Sequence, residues 1–224
     1  MLKESAESVK TTNKAYAEAL TKALRLRWSP VALKMVRPDE EIPSGVNAMG
    51  STIRHCQSII AARRGHCLYL PAKNHACPDG SAILGIVPMS AKLRSGDLYL
   101  LFKKLPDIGT ARKMISTRQE FSPGDYKATA VAPLENAEYT PDVVIMTLEP
   151  EQMMWLCCSS TYSSGDRQVF HTSGYNSACA DLVVNVIKNG EMNISFGCYG
   201  AWAASEVGDK ELYVSIPYAK LPAT

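Results

Sequence analysis

Apolar residues return at helical spacing over residues 4–27. Val9, Tyr16, Leu20 and Leu24 share a stripe with Ala19 and Ala23, while Lys10, Lys14, Glu18 and Lys22 face away. This predicts an amphipathic helix that Ser29-Pro30 stops, because a proline disfavours helical backbone in the residue before it. VALKMV (31–36) predicts a short strand, and the charge, Pro and Gly of 37–50 a surface loop. Ser51 or Thr52 is expected to cap a helix running to about Arg64, ended by Gly65. HCLYL (66–70) reads as extended, 79–87 as a short helix or strand, LYLLF (98–102) as a strand and 106–117 as a helix. After a polar loop, DVVIMTL (142–148) is a continuous apolar run, the mark of a buried strand. It feeds a helix with Pro150 in its first turn and Gly165 beyond its end. Residues 178–187 read as helical, and 192–198 and 211–217 as closing strands. There is no regular βαβ alternation. The expected class is therefore α+β, a mixed or antiparallel sheet with helices packed on it, in one domain over 1–224 with room for two lobes.

Charge narrows the partners. Lys plus Arg is 24 and Asp plus Glu 22, and a net +2 is too small to imply nucleic acid or an anionic membrane. The polar start MLKESAESVK does not read as a signal peptide, and no run nears the ~18 apolar residues of a spanning helix. A cytoplasmic, reducing location is expected. There, seven cysteines, an odd number, serve packing, metal binding or catalysis rather than a disulfide framework.

Residues 55–80, HCQSIIAARRGHCLYLPAKNHACPDG, hold three of them, each with a histidine one or two places before it. The two-to-four-residue cysteine spacing of a zinc finger is absent. Cys77, ahead of Pro78-Asp79, and Cys179, in NSACAD, are each expected at the start of a helix. The positive end of the helix dipole lowers a thiol pKa there. Cys198 sits between Gly197 and Gly200, where backbone can approach a ligand closely. Cys56, Cys77, Cys179 and Cys198 thus form the candidate metal set. Cys67, Cys157 and Cys158 are expected to pack in the core.

Adjacent side chains diverge on a helix and oppose on a strand, so the histidine–cysteine neighbours at 55, 66 and 75 are weak evidence of shared ligation. Arg54, Arg63, Arg64 and Arg167 are candidates for holding an anionic cofactor or substrate, although on a helix with polar neighbours arginines such as the first three more often mark a solvated face. Standard phosphate cradles and the serine-hydrolase elbow are missing.

PVALKMV, CQSIIAARRG, ACPDGSAILGI, LRSGDLY, PDVVIMTLEPEQMM, SACAD, ISFGCYG and ELYVSIP, in this order, resemble the prokaryotic family known as domain of unknown function 169, from about residue 20 to 221. The resemblance carries no activity. It implies a cytoplasmic protein of archaea and bacteria, many of them anaerobes. It also implies that Cys56, Cys77, Cys179 and Cys198 are family positions, whereas Cys67, Cys157 and Cys158 are peculiar to this chain. After the Gly-Cys-x-Gly turn the family often carries an arginine. Ala201-Trp202 stand here instead, which weakens any anion-binding role for the turn.

The leading expectation is an iron–sulfur cluster on the four cysteines, its sulfurs receiving N–H groups from helix starts and the glycine turn, in electron transfer or reductive metabolism with a redox partner protein. Two alternatives stand beside it. One is a metal-free thiol enzyme with Cys179 or Cys77 as nucleophile and a histidine such as His75 as base. The other is a small-molecule binder with structural cysteines.

Overall fold

The computed structural model describes residues 5–162 and 165–223. Among them, seven strands form one sheet in the order β2-β3-β4-β1-β5-β7-β6. The strands are β1 (Val31–Val36), β2 (Asn47–Ala48), β3 (Leu68–Pro71), β4 (Ala128–Pro133), β5 (Val143–Leu148), β6 (Asn193–Ser195) and β7 (Leu212–Pro217). Only the edge pair β2–β3 is parallel. The α+β class with a mixed, mainly antiparallel sheet is the architecture found.

Strand alternation divides the core. Val31, Leu33 and Met35 of β1 face one layer with Val131, Val143, Ile145 and Tyr213. Ala32 and Val36 face the other, with Ala128, Ala130, Ala132, Val144, Met146, Val214 and Ile216. The second layer is covered by α1 (Ala6–Leu24) and α7 (Pro150–Tyr162). The first carries α2 (His55–Arg63), α3 (Pro78–Ile83), the helical run 177–189 and, near the end of the chain, 199–204. A smaller cluster around Tyr99, Ala111 and Ile115 joins α5 (Asp97–Leu101) to α6 (Ile108–Thr117), with α4 (Ala91–Ser95) just before them.

Several expectations change. The strand expected at LYLLF is helix α5. Gly96, in the left-handed region at φ 90°, ends α4 and opens α5, and Leu101 and Phe102 point outward. A short apolar run does not by itself separate helix from strand. Conversely, β4 lies in what reads as a polar loop. ATAVAP has alanine where strands favour branched residues, yet every one of its residues is buried between β1 and β3. Ser51 and Thr52 do not cap α2, whose cap is Arg54, with Gln57 accepting from its backbone N–H. On α1, Ala19 and Ala23 are exposed and Asn13 is buried instead. Asn13 donates to the Ala137 and Tyr139 carbonyls and accepts from Tyr218. Residue 4, the expected start of that helix, lies outside the described residues.

No described helix is long and apolar enough to cross a membrane.

Candidate functional site

The four candidate cysteines come from four separate segments, and each stands at or near a helix start on the same face of the sheet. Cys56 is the second residue of α2. Cys77 caps α3, its Sγ accepting from Gly80 N–H at 3.4 Å, with Pro78 at the first helical position where no N–H is needed. Cys179 ends α8 (Ser177–Cys179), which Asn176 caps in the left-handed conformation. The chain then continues as a π-helical stretch, Ala180–Val184, and α9 (Asn185–Asn189). Cys198 caps α10 (Tyr199–Ala204) after Gly197, whose φ is 78°.

Two glycines set how closely the thiols gather. A Cβ on Gly80 would stand 2.9 Å from Cys179 Sγ and 3.5 Å from Cys77 Sγ, so both sulfurs crowd the same bare backbone. A Cβ on Gly200 would stand 2.9 Å from Arg54 Nη1 and 3.7 Å from Cys198 Sγ. The ionisation of Cys179 is opposed by Cys77, Cys198 and Cys56, and that of Cys56 by Cys198 and Cys77. The structure therefore brings Cys56, Cys77, Cys179 and Cys198 into one electrostatic group, with Arg54 favouring the thiolates of Cys56 and Cys77.

Burial dominates the titration of Cys56, Cys77 and Cys179. It pushes Cys56 up to about 12, Cys179 well up, and Cys77 up in spite of the Gly80 N–H. The expected lowering by helix starts is overturned for Cys77 and Cys179. A helix dipole is worth about 0.3–1 kcal/mol, less than one pKa unit, whereas full burial moves a group by up to 3–5 units. Among the described residues no three His, Cys, Asp or Glu side chains are grouped to hold a metal ion.

A polar knot ties the Cys77 and Cys179 segments together. Tyr99 Oη donates to Asp79 Oδ2 at 2.5 Å, and Asn176 Nδ2 donates to the same oxygen. Arg118 Nη1 donates to Asn176 Oδ1 at 3.0 Å and to Tyr99 Oη at 3.2 Å, and pairs with Asp79 at 3.5 Å. Burial and then Asp79 push the Tyr99 hydroxyl well up, which keeps it a donor. The sequence reading missed Tyr99, Asn176 as a ligand of Asp79, and Arg118. Asp79 beside the Cys77-Pro78 turn was visible, but its partners lie on elements distant in the chain.

His55 and His75 are held neutral, pulled down by burial to about 3 and about 4, the former in spite of the Ala178 backbone beside it. Neither ring is hydrogen-bonded to a thiol, so neither is set as a base on one. His66 and His171 are exposed.

Of the arginine candidates, Arg54 stands beside the site cysteines, and Arg63, Arg64 and Arg167 lie elsewhere. Arg63, at the far end of α2, is buried. Its Nη1 pairs with Glu211 at 2.8 Å and donates to Thr147 at 2.7 Å, and the guanidinium sits 4.9 Å from the Trp28 ring centre. Arg64 pairs with Glu206 at 2.8 Å on the surface. Arg167 lines an open groove on α7 with Met154, Cys157, Cys158 and Tyr162. Cys158 is exposed and Cys157 half-buried, against the expectation of core packing. α7 turns Met153 and Leu156 inward and leaves Met154 and Trp155 in solvent. Cys67 is half-buried against the α1 layer.

Residues 19–224 match the family model for domain of unknown function 169, described as uncharacterised ArCR. The chain belongs to this family. An uncharacterised protein of Methanocaldococcus jannaschii is 30% identical over 207 residues, covering 92% of this chain and 88% of that relative. No solved structure matches. The match spans all four site cysteines and the Asp79–Asn176–Arg118 knot, so the whole site lies inside the family region.

Proposed function

We propose that this family member binds an iron–sulfur cluster or related polynuclear redox group through Cys56, Cys77, Cys179 and Cys198, and serves electron transfer or reductive metabolism in the cytoplasm with a redox partner. The observation that carries the reading is that four thiols from distant segments, Cys56 and Cys179 buried and Cys77 and Cys198 half-buried, come near enough to oppose one another's ionisation. Four thiolates placed together oppose one another's ionisation, and burial adds to the cost. Cationic iron offsets both, which is why metal binding and thiol deprotonation are coupled. A cluster spreads its ligands over several metal atoms, so its cysteines need not close on one point as for a single ion. In this reading Arg54 and the Gly80 N–H lower the negative charge felt at the sulfurs, an effect that raises a reduction potential.

The thiol-enzyme alternative has less support. An activated nucleophile needs a lowered pKa or a base in contact, and here burial raises Cys77 and Cys179 while His55 and His75 make no hydrogen bond to a thiol.

Anaerobic reconstitution with ferrous iron and sulfide, followed by an absorption spectrum and iron and sulfide analysis, tests the proposal. Stoichiometric iron and sulfide with charge-transfer absorption, lost in Cys→Ser variants at 56, 77, 179 or 198 but kept in Cys158→Ser, is the expected result. A folded chain that takes up no iron and sulfide would overturn it.

A further inference from the structure

A cavity of about 290 Å³ opens between the end of α6, the segment 170–173 and the π-helical turn after Cys179. It is near the lower bound of the about 300–1,000 Å³ of small-molecule sites. Asp181 lies in its wall, buried to 8% exposure. Thr172 Oγ1 donates to Asp181 Oδ2 at 2.9 Å, and the described residues place no cation in an ion pair with it. A carboxylate buried among neutral donors has no charge of the protein to offset it, and a bound cation would supply one. The arginine in the lining, Arg118, is already committed to Asp79, Asn176 and Glu120. Gln119 adds a buried carboxamide oxygen that accepts nothing. Phe170 and Met114 supply apolar wall.

The backbone here is unusual in a way that suits a site. A π-helical turn widens the helix and recurs at functional positions. The Asp181 carbonyl is taken up by Asn193 Nδ2 at 2.9 Å, so the turn is anchored from outside the helix. The same Asn193 receives the His171 N–H at 2.8 Å and donates to the His171 carbonyl, which holds the 170–173 segment over the cavity.

We propose that this cavity is a binding site for a small organic ammonium ion, with Asp181 as its counter-ion, Gln119 Oε1 as a second acceptor and Phe170 and Met114 against its carbon skeleton. No cysteine takes part in the proposed contacts and the titrations use the metal-free chain, so failure here is distinguishable from failure of the four-cysteine reading.

Thermal-shift and calorimetric titrations of the metal-free chain at pH 8 with n-butylammonium and benzylammonium, each against its matched alcohol at equal ionic strength, test it. A saturable shift with at least one ammonium and none with the alcohols is expected. It should weaken by roughly tenfold or more in Asp181→Asn, which removes the counter-charge. It should weaken likewise in His171→Trp, which adds bulk at the exposed rim and leaves Asp181 in place. If Asp181→Asn does not fold, His171→Trp decides. No saturable shift beyond the alcohols, or a shift undiminished in the folded variants, would overturn the proposal.

Discussion

The sulfur of Cys179 lies 2.9 Å from the point where a side chain on Gly80 would begin, although the two residues are ninety-nine apart in the chain. Gly80 is inside α3, where alanine is the better helix former by about 1 kcal/mol. The substitution Gly80→Ala therefore sets a local gain against a collision with a buried sulfur. Overpacking costs about 1–3 kcal/mol, so the collision should win. Urea unfolding of the metal-free chain should show net destabilisation of about 1 kcal/mol. Equal or greater stability would mean that Cys179 is free to move away.

Arg118 is the cation of the knot that joins Asp79 to Asn176. Arg118→Ala leaves the partly buried Asp79 facing Tyr99 and Asn176 alone, and removing one partner of such a pair costs about 3–5 kcal/mol. Tyr99→Phe removes a single hydrogen bond to a charged group, for about 1.5–3 kcal/mol. Thermal unfolding should rank the two losses in that order; the reverse would move the main load to Tyr99.

Arg63 separates a structural role from a ligand-binding one. Its pairing with Glu211 and Thr147 over Trp28 predicts that Arg63→Ala costs about 3 kcal/mol by leaving Glu211 unpaired. Iron uptake per folded chain should stay unchanged, because Arg63 sits at the end of α2 away from Cys56. Normal stability with impaired uptake would reverse this assignment.

Acid and alkali should each weaken the metal-free fold, through different groups. His55 and His75 titrate near 3 and 4 when folded, below their ordinary 6.5, so the unfolded chain binds protons first. Their effect is absent above pH 6.5 and destabilises as pH falls from 6.5 towards 4, with a limiting slope of about 1.4 kcal/mol per pH unit for each. His75→Asn should flatten this limb in urea titrations across pH. Cys56 is displaced the other way, to about 12 from 9.0, so its stabilisation is full below pH 9 and lost as pH rises towards 12. Cys56→Ser should shallow the alkaline limb and leave the acid one unchanged.

Helix α1, strands β1, β5 and β7 and helix α7 were legible because each carries its own period or its own stop signals within a dozen residues. VALKMV needs no distant partner to read as a strand, and Pro150 marks its helix locally. β4 was not legible. Its alanines lack strand propensity, and what makes it a strand is pairing with β1 and β3 on either side. LYLLF failed in the opposite direction, since the turn at Gly96 outweighs the apolar run.

Local context in the sequence put Cys77, Cys179 and Cys198 in the candidate set, through Pro78, the cap before Cys179 and the glycines around Cys198, and Cys56 joined them as a cysteine near an element end. Only the tertiary structure decided that the four come within electrostatic reach of one another, that Tyr99, Asn176 and Arg118 tie the Cys77 and Cys179 segments together through Asp79, and that burial raises Cys77 and Cys179 where helix starts alone would lower them. Caps and periods are set by neighbours a few residues apart, so the chain declares them. Desolvation and mutual repulsion depend on which distant segments are packed together, and no short stretch of sequence contains that information.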